Sequence, residues 1–167
     1  MTIQEICEML KSELFGRGYE YGFFLDGKKY KPNMEKGFDR EYYHLSTTIY
    51  RVQNPLVTMR EKIGTCVDAV MVMKMLLDQQ KVPNTIWLLC HKLTHKVHTV
   101  LTFEAENQVV YLELTPQFSK DHYGQEILYA NLQDFLSFYE QNGFEVTNVT
   151  DAITVGQPPV FLLEKIQ

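Results

Sequence analysis

Long apolar runs are scarce in this sequence. The longest wholly apolar stretches cover about five or six residues, whereas a membrane-spanning helix needs about 20. The amino-terminal segment carries Glu5 and Glu8 before its first lysine and has no uninterrupted apolar core, so it does not resemble a signal peptide. We therefore expect a soluble, cytoplasmic protein with no membrane partner.

Positive charge is also sparse. The chain has 16 Lys and Arg residues against 21 Asp and Glu residues, which gives a formal net charge of −5. Proteins that bind nucleic acids usually present a basic patch or stripe, and Lys and Arg do not cluster here. Nucleic acid is accordingly not expected as a partner.

Cysteine occurs three times, as Cys7, Cys66 and Cys90. An odd number at wide spacing fits reduced thiols in a cytosol better than a disulfide framework. Free cysteine is among the most buried residue types. Cys7, on the apolar face of a predicted helix, and Cys90, inside a predicted strand, are therefore expected to be core residues.

The remaining composition is that of an ordinary globular protein. With 167 residues, 45% of them hydrophobic and 22% charged, the chain is expected to form a single domain over residues 1–167. Helices are predicted where capping residues precede apolar residues at helical spacing. The capping positions are Thr2, Asn54, Thr65 and Asn131.

Strands are predicted where β-branched and aromatic residues concentrate, at 85–91, 97–103 and 108–114. Chain order arranges these three as an antiparallel meander packed on the helix that begins after Thr65, which makes an α+β fold. Asp26-Gly27 predicts a tight hairpin upstream. The segment 33–53 is expected to be irregular with a short strand, and the tail to add an edge strand.

Cys66 is the candidate nucleophile. It follows Gly64-Thr65 at the predicted start of the central helix, where unpaired amide groups and the positive end of the helix dipole favour the thiolate and can hold a developing oxyanion. Asp68, three residues after Thr65, is interpreted as a capping acid rather than a catalytic one. The aromatic residues between positions 19 and 50 are expected to be mostly packing, with some lining a cleft over Cys66.

A nucleophilic cysteine needs a base, and the base needs an orienting group. His98 begins the second strand of the meander and is the candidate base. If the next turn is centred on 105–106, His98 faces Glu113; if it is centred on 106–107, His98 faces Thr115 and Glu113 becomes the diagonal neighbour. Diagonal pairs lie about 7–8 Å apart, so Glu113 stays within reach in either register and is the predicted orienting acid.

These residues carry a resemblance. Gly64-Thr65-Cys66 opens an apolar helix, a His then leads a strand, and an acid follows on the adjacent strand. This order resembles the transglutaminase-like branch of the papain-type cysteine fold, over roughly residues 50–117. The segments upstream are similar to small bacterial cytosolic members of that superfamily. The resemblance implies a papain/transglutaminase-like fold with a central helix bearing the Cys packed on an antiparallel sheet.

The resemblance also implies an activity. It would be cysteine-dependent acyl transfer on amide bonds through a Cys66 thioester, with a catalytic triad of Cys66, His98 and Glu113, and without cofactor or metal. The partner would be a peptide or an amide-containing small molecule, and protease, amidase, deamidase and transamidase activities all stay open. Many members carry Asp-Pro where this chain has Thr115-Pro116, so either Glu113 replaces that Asp or the triad is incomplete.

Two other hypotheses compete with the enzyme. The first is a catalytically silent interaction module on the same fold, suggested by Thr115 and by the small size of the chain. The second is a metal site at Cys90, His91 and His95, which requires this stretch to be helical. Val97 and the flanking strand composition instead favour a hairpin, and no second ligand pair with zinc spacing occurs in the sequence.

Overall fold

The secondary structure alternates between helices and strands in a computed structural model that describes residues 1–33, 35, 38–116 and 122–166. The helices within these residues are α1 Ile3–Leu14, α2 Arg40–Thr48, α3 Pro55–Glu61, α4 Cys66–Gln79, α5 Leu132–Gln141 and α6 Val160–Leu163. The strands are β1 Glu20–Tyr21, β2 Phe23–Leu25, β3 Lys28–Tyr30, β4 Ile63–Gly64, β5 Asn84–His91, β6 Val97–Ala105, β7 Gln108–Leu112, β8 Glu126–Tyr129 and β9 Phe144–Asn148. The predicted α+β class is confirmed.

The main sheet has five antiparallel strands in the order β8-β7-β6-β5-β9. Its middle three strands are the predicted meander, which is confirmed. Strands β8 and β9 flank the meander and were not predicted from the sequence. Each is short, at four and five residues, and mixes exposed with half-buried positions, so neither shows the dense apolar pattern of a central strand.

The two faces of the sheet are covered by different helices. Alternate residues of β5, β6 and β7 pack against α1 and α4 in one buried cluster, which includes Leu10, Met73 and Phe103. The intervening residues, among them Trp87, pack with Phe135 of α5 in a second cluster. The period of two in a strand sends neighbouring side chains to opposite faces, so the meander is buried on both sides.

The predicted core positions of two cysteines are confirmed. Cys7 is 3% exposed on α1, and Cys90 is 7% exposed near the end of β5. The Asp26-Gly27 hairpin is also confirmed, since Leu25 pairs with Lys28 and both turn residues have positive φ angles. The helix starts at Thr2, Asn54, Thr65 and Asn131 are all capped by the predicted side chains.

Two segments differ from the prediction. Residues 40–48, expected to be irregular with a short strand, form α2, which begins after Asp39, whose carboxylate accepts a hydrogen bond from the Tyr42 amide. The predicted edge strand in the tail is instead the short helix α6 after Pro159. In both places a local capping residue or proline determines the structure, and the aromatic or apolar composition alone was misleading.

The hairpin between β6 and β7 has its turn at Glu106-Asn107, and both residues have positive φ angles of 51° and 59°. Ala105 pairs with Gln108 and Thr102 with Tyr111. This is the second of the two predicted registers. Continued along the strands, it sets His98 opposite Thr115 and makes Glu113 its diagonal neighbour.

Among the described residues, no helix combines the length and the apolar character needed to cross a bilayer.

Candidate active site

Cys66 is the first residue of α4, directly after its N-cap Thr65. Its side chain is 5% exposed and packs with Val52 and Val67. In the capping box, the Thr65 amide donates to the Asp68 carboxylate and the Asp68 amide donates to the Thr65 hydroxyl. Among the described residues this leaves the amides of Cys66 and Val67 for a ligand, at the positive end of the helix dipole.

His98 is the second residue of β6, and its side chain is 14% exposed. Its Nε2 atom contacts Oε1 of Glu113, and the ring also lies in the electrostatic environment of the Cys66 side chain. Because Nε2 faces Glu113, the nitrogen that remains for the thiol is Nδ1. The structure thus brings together all three residues of the predicted triad.

The charged form of His98 is favoured by these neighbours. Burial by itself lowers the pKa of an imidazole, but the negative charge of Glu113 and the interaction with the Cys66 side chain together outweigh burial and raise the pKa of His98 to about 9. An imidazolium at neutral pH can stabilise a neighbouring thiolate. It can also donate a proton to a leaving group.

Glu113 is itself held in place. It is 2% exposed and accepts hydrogen bonds from the Tyr111 hydroxyl, at 3.2 Å, and from the Thr115 amide, at 3.4 Å. Thr115 therefore contributes its backbone, while its buried hydroxyl has no hydrogen-bond partner among the described residues. Of the two candidates for the orienting group, the one in contact with His98 is Glu113.

Asp68 is the predicted capping acid, and its capping role is confirmed. It is 0% exposed, and burial, the largest effect, raises its pKa to about 6 even though hydrogen bonds from Thr65, Gln53 and Tyr50 oppose the rise. The Tyr50 hydroxyl and the Gln53 amide both donate to Oδ1, at 2.8 and 2.9 Å. This network secures the turn that presents Cys66.

Gln53 extends the network to neighbouring loops and was not identified from the sequence. Its Nε2 donates to the Thr58 hydroxyl, at 2.8 Å, and to the Ile63 carbonyl, at 2.9 Å, while its Oε1 accepts from the Phe24 amide, at 2.7 Å. A lone glutamine has no distinctive local pattern. A buried Gln–Asp network becomes visible only when the chain is folded.

Cys66 borders a cleft of about 450 Å³. The sequence did not show which aromatic residues between positions 19 and 50 line a cleft. In the structure, this cleft is lined by Tyr21, Tyr42, Tyr43 and Tyr50. The other described lining residues are Pro32, Phe38, Asp39, Ser46, Thr47, Thr65, Val67, Val97, Pro159, Leu162, Leu163 and Ile166. The thiol therefore faces a pocket of the size that usually holds small molecules, roughly 300–1,000 Å³.

Two tyrosines of the cleft lie in the electrostatic environment of the thiol. Tyr21 is brought there by the parallel pairing of β1 with β4, in which it pairs with Gly64. Burial, followed by the Cys66 charge, raises the pKa of Tyr21, and burial followed by the Asp68 charge raises that of Tyr42. Both phenols therefore remain neutral hydrogen-bond donors next to the nucleophile.

The stretch that suggested a metal site forms the predicted hairpin between β5 and β6, with Cys90 paired to Val97. His91 Nδ1 accepts hydrogen bonds from the amides of Leu93, at 3.3 Å, and Thr94, at 3.2 Å. That nitrogen is therefore engaged in the turn. Within the described part of the chain, no group of three or more His, Cys, Asp or Glu side chains is arranged to hold a metal ion.

Comparisons of this chain with protein-family models, with curated proteins and with solved structures found no match.

Proposed function

We propose that this protein is a cysteine-dependent acyl-transfer enzyme that acts on amide bonds, with Cys66 as nucleophile, His98 as base and acid, and Glu113 as the orienting acid. The observation that carries the proposal is the position of the His98 imidazole, which contacts the Glu113 carboxylate and lies close enough to Cys66 for that side chain to raise its pKa. A nucleophile, a base and an orienting group held close together are the arrangement that covalent catalysis requires.

The first half-reaction would form a thioester. The Cys66 sulfur attacks the substrate carbonyl carbon, an S–C bond forms, and the carbonyl electrons move to oxygen. The amides of Cys66 and Val67 can donate to that oxyanion. When the tetrahedral intermediate collapses, the C–N bond breaks and His98 transfers its proton to the departing amine.

The second half-reaction would release the acyl group. Water or an amine attacks the thioester carbon, His98 accepts its proton, and the S–C bond breaks to restore Cys66. Attack by water gives hydrolysis by a protease, amidase or deamidase, and attack by an amine gives transamidation. In both steps Glu113 holds the imidazole in one orientation and stabilises its positive charge.

The fold that we propose for this chemistry is papain/transglutaminase-like. It is supported by the chain order of a Cys at a helix start, a His on a strand and an acid near the end of the adjacent strand, with an antiparallel sheet packed on the Cys-bearing helix. Glu113 would take the role of the Asp that many members carry at the position of Thr115. Three unpaired cysteines support a reducing compartment, and we propose the cytoplasm.

Thiol labelling tests the proposal. At about pH 6, where an ordinary thiol is almost wholly protonated, iodoacetamide should alkylate Cys66 at least about tenfold faster than Cys7 or Cys90, as read by peptide mass spectrometry. His98→Gln should remove most of this advantage, because the imidazolium that stabilises the thiolate is lost.

The same experiment distinguishes the alternative. Cys7 and Cys90 are buried cysteines of the same chain and serve as internal controls. Equal, slow labelling of all three, unchanged by His98→Gln, would contradict the enzyme and favour a silent interaction module on the same fold.

A further inference from the structure

The cleft beside Cys66 is apolar along most of its lining. One part comes from the start of α2 and the two residues before it, with Phe38, Tyr42 and Tyr43. Another part comes from the carboxyl-terminal segment, with Leu162, Leu163 and Ile166. An apolar ligand binds such a surface most favourably, because burial of each methylene group contributes about 0.8 kcal/mol to the binding free energy.

The described residues of the lining also supply no Lys or Arg as a counterion for an anionic ligand. The acid present among them is Asp39. The Asp39 carboxylate caps α2 and accepts hydrogen bonds from the amides of Asn33, at 2.9 Å, and Tyr42, at 3.0 Å. A carboxylate or phosphate on the ligand would be desolvated beside a negative charge, which is costly.

One polar group in the cleft has an unmet hydrogen bond. The hydroxyl of Tyr42 is buried and has no partner among the described residues. A buried hydroxyl without a partner costs free energy, and a carbonyl oxygen of a ligand is an acceptor that could satisfy it. The cleft therefore matches a ligand with an apolar body and few polar atoms.

We infer that the acyl group transferred by this protein is uncharged and apolar, a medium-length aliphatic or aromatic acyl group rather than one that carries a carboxylate. This inference rests on the proposed function, because it assigns the occupant of the cleft at the Cys66 nucleophile. It adds to that function the part of the substrate that the cleft selects.

Three 4-nitrophenyl esters with the same leaving group test the inference: the acetate, the hexanoate and the glutarate, whose acyl chain ends in a carboxylate. Cys66 attacks the ester carbon, 4-nitrophenolate leaves, and water hydrolyses the thioester. Each added methylene can contribute up to about fourfold. We expect kcat/KM, corrected for intrinsic ester reactivity, to be at least about tenfold higher for the hexanoate than for the acetate, with the glutarate at or below the acetate.

A positive charge introduced into the cleft sharpens the test. Leu163→Lys places a cation in the lining and should shift the hexanoate-to-glutarate ratio of kcat/KM towards the glutarate by at least about tenfold. Val160→Lys is the matched control, because Val160 lies on the same helix, is 53% exposed and is not a lining residue. That control should leave the ratio unchanged.

The outcomes separate this inference from the proposed function. Turnover that depends on Cys66 with equal rates for acetate and hexanoate, or with a preference for glutarate, overturns the inference and leaves the enzyme intact. If no ester is turned over, calorimetric titration of the Cys66→Ala variant decides. Binding of hexanamide but not of glutaric acid monoamide then supports the apolar selectivity without the enzyme, and equal or absent binding overturns the inference too.

Discussion

At the scale of the residue, the charge of His98 is the property on which the proposed chemistry depends. Its ring is largely buried yet has a pKa of about 9, because the Glu113 charge and the other interactions with the Glu113 and Cys66 side chains together outweigh the cost of burial. Since this pKa lies above the ordinary value of 6.5, protonation of His98 stabilises the folded state. That stabilisation is complete below about pH 6.5 and is lost as the pH rises through about 9.

Glu113→Gln should abolish this dependence. We expect the free energy of unfolding of the wild-type protein to exceed that of the variant most at about pH 6 and by progressively less up to about pH 10, as measured by urea denaturation. Glu104→Gln, an exposed position on the same strand as His98, should show no such trend. A difference that stays constant or grows with pH would contradict the assigned charge state.

The unpaired hydroxyl of Tyr42 allows a second prediction at this scale. Tyr42→Phe removes a buried donor that has no partner among the described residues, so the substitution should leave the stability unchanged or raise it by about 1 kcal/mol. Tyr50→Phe is the matched control, because the Tyr50 hydroxyl donates to Asp68 and its loss should cost about 1–3 kcal/mol. Thermal unfolding of both variants is the measurement, and equal destabilisation would contradict the prediction.

At the scale of the element, the start of α4 combines two functions. The capping box of Thr65 and Asp68 ends the extended chain and begins the helix, and the same start presents Cys66 at the positive end of the dipole. Gly64 is required here by space, since an added Cβ would lie 2.8 Å from the Cβ of Asp68. The nucleophile is therefore positioned by buried contacts of its own backbone.

Asp68→Asn should weaken this element. The variant keeps the size of the side chain but turns one acceptor towards the Thr65 amide into a donor, so we expect a loss of about 1–3 kcal/mol in the free energy of unfolding. Asp134→Asn is the matched control, since Asp134 is at the same position of α5 but is exposed, and it should change stability by less than about 0.5 kcal/mol. Chemical denaturation at about pH 8 compares the two, and equal effects would contradict the role of the buried network.

The turn of the β6–β7 hairpin determines which residue lies opposite His98 and which lies diagonal to it. A turn at Glu106-Asn107 fixes the register in which Glu113 is diagonal to His98. Both registers were open in the sequence, because Glu113 and Thr115 lie on the same face of the strand. Two residues in the left-handed region suit a tight hairpin turn, although Glu106 is not a typical residue for that conformation.

At the scale of the whole molecule, three chemically identical thiols acquire different environments. Cys7 is enclosed between α1 and the sheet, and burial, followed by the charge of Glu126, raises its pKa to about 11. Cys66 lies at a helix start beside an imidazole, and Cys90 is buried in a strand. These differences exist only while the chain is folded.

Unfolding should therefore remove the selectivity of labelling. In the native protein at about pH 8, Cys7 should react with iodoacetamide at least about tenfold more slowly than Cys66. In about 8 M urea the three rates should agree within about a factor of three, because each thiol returns to its ordinary solvated state. Persistence of the ranking in urea would show that local sequence, and not the fold, controls the reactivity.

The sequence by itself determined the local features of this protein. Caps at Thr2, Asn54, Thr65 and Asn131, the Asp26-Gly27 hairpin and the central meander could all be predicted, because each depends on residues within a few positions of one another. The helical position of Cys66 was predicted for the same reason.

Only the tertiary structure decided the features that depend on distant residues. The register that sets Glu113 diagonal to His98, the Gln53–Asp68–Tyr50 network and the cleft shared by α2 and the carboxyl-terminal segment join positions far apart in the chain. Strands β8 and β9 form at the edges of a sheet that is already in place. Their stability comes from pairing and burial against neighbours, and no local propensity encodes it.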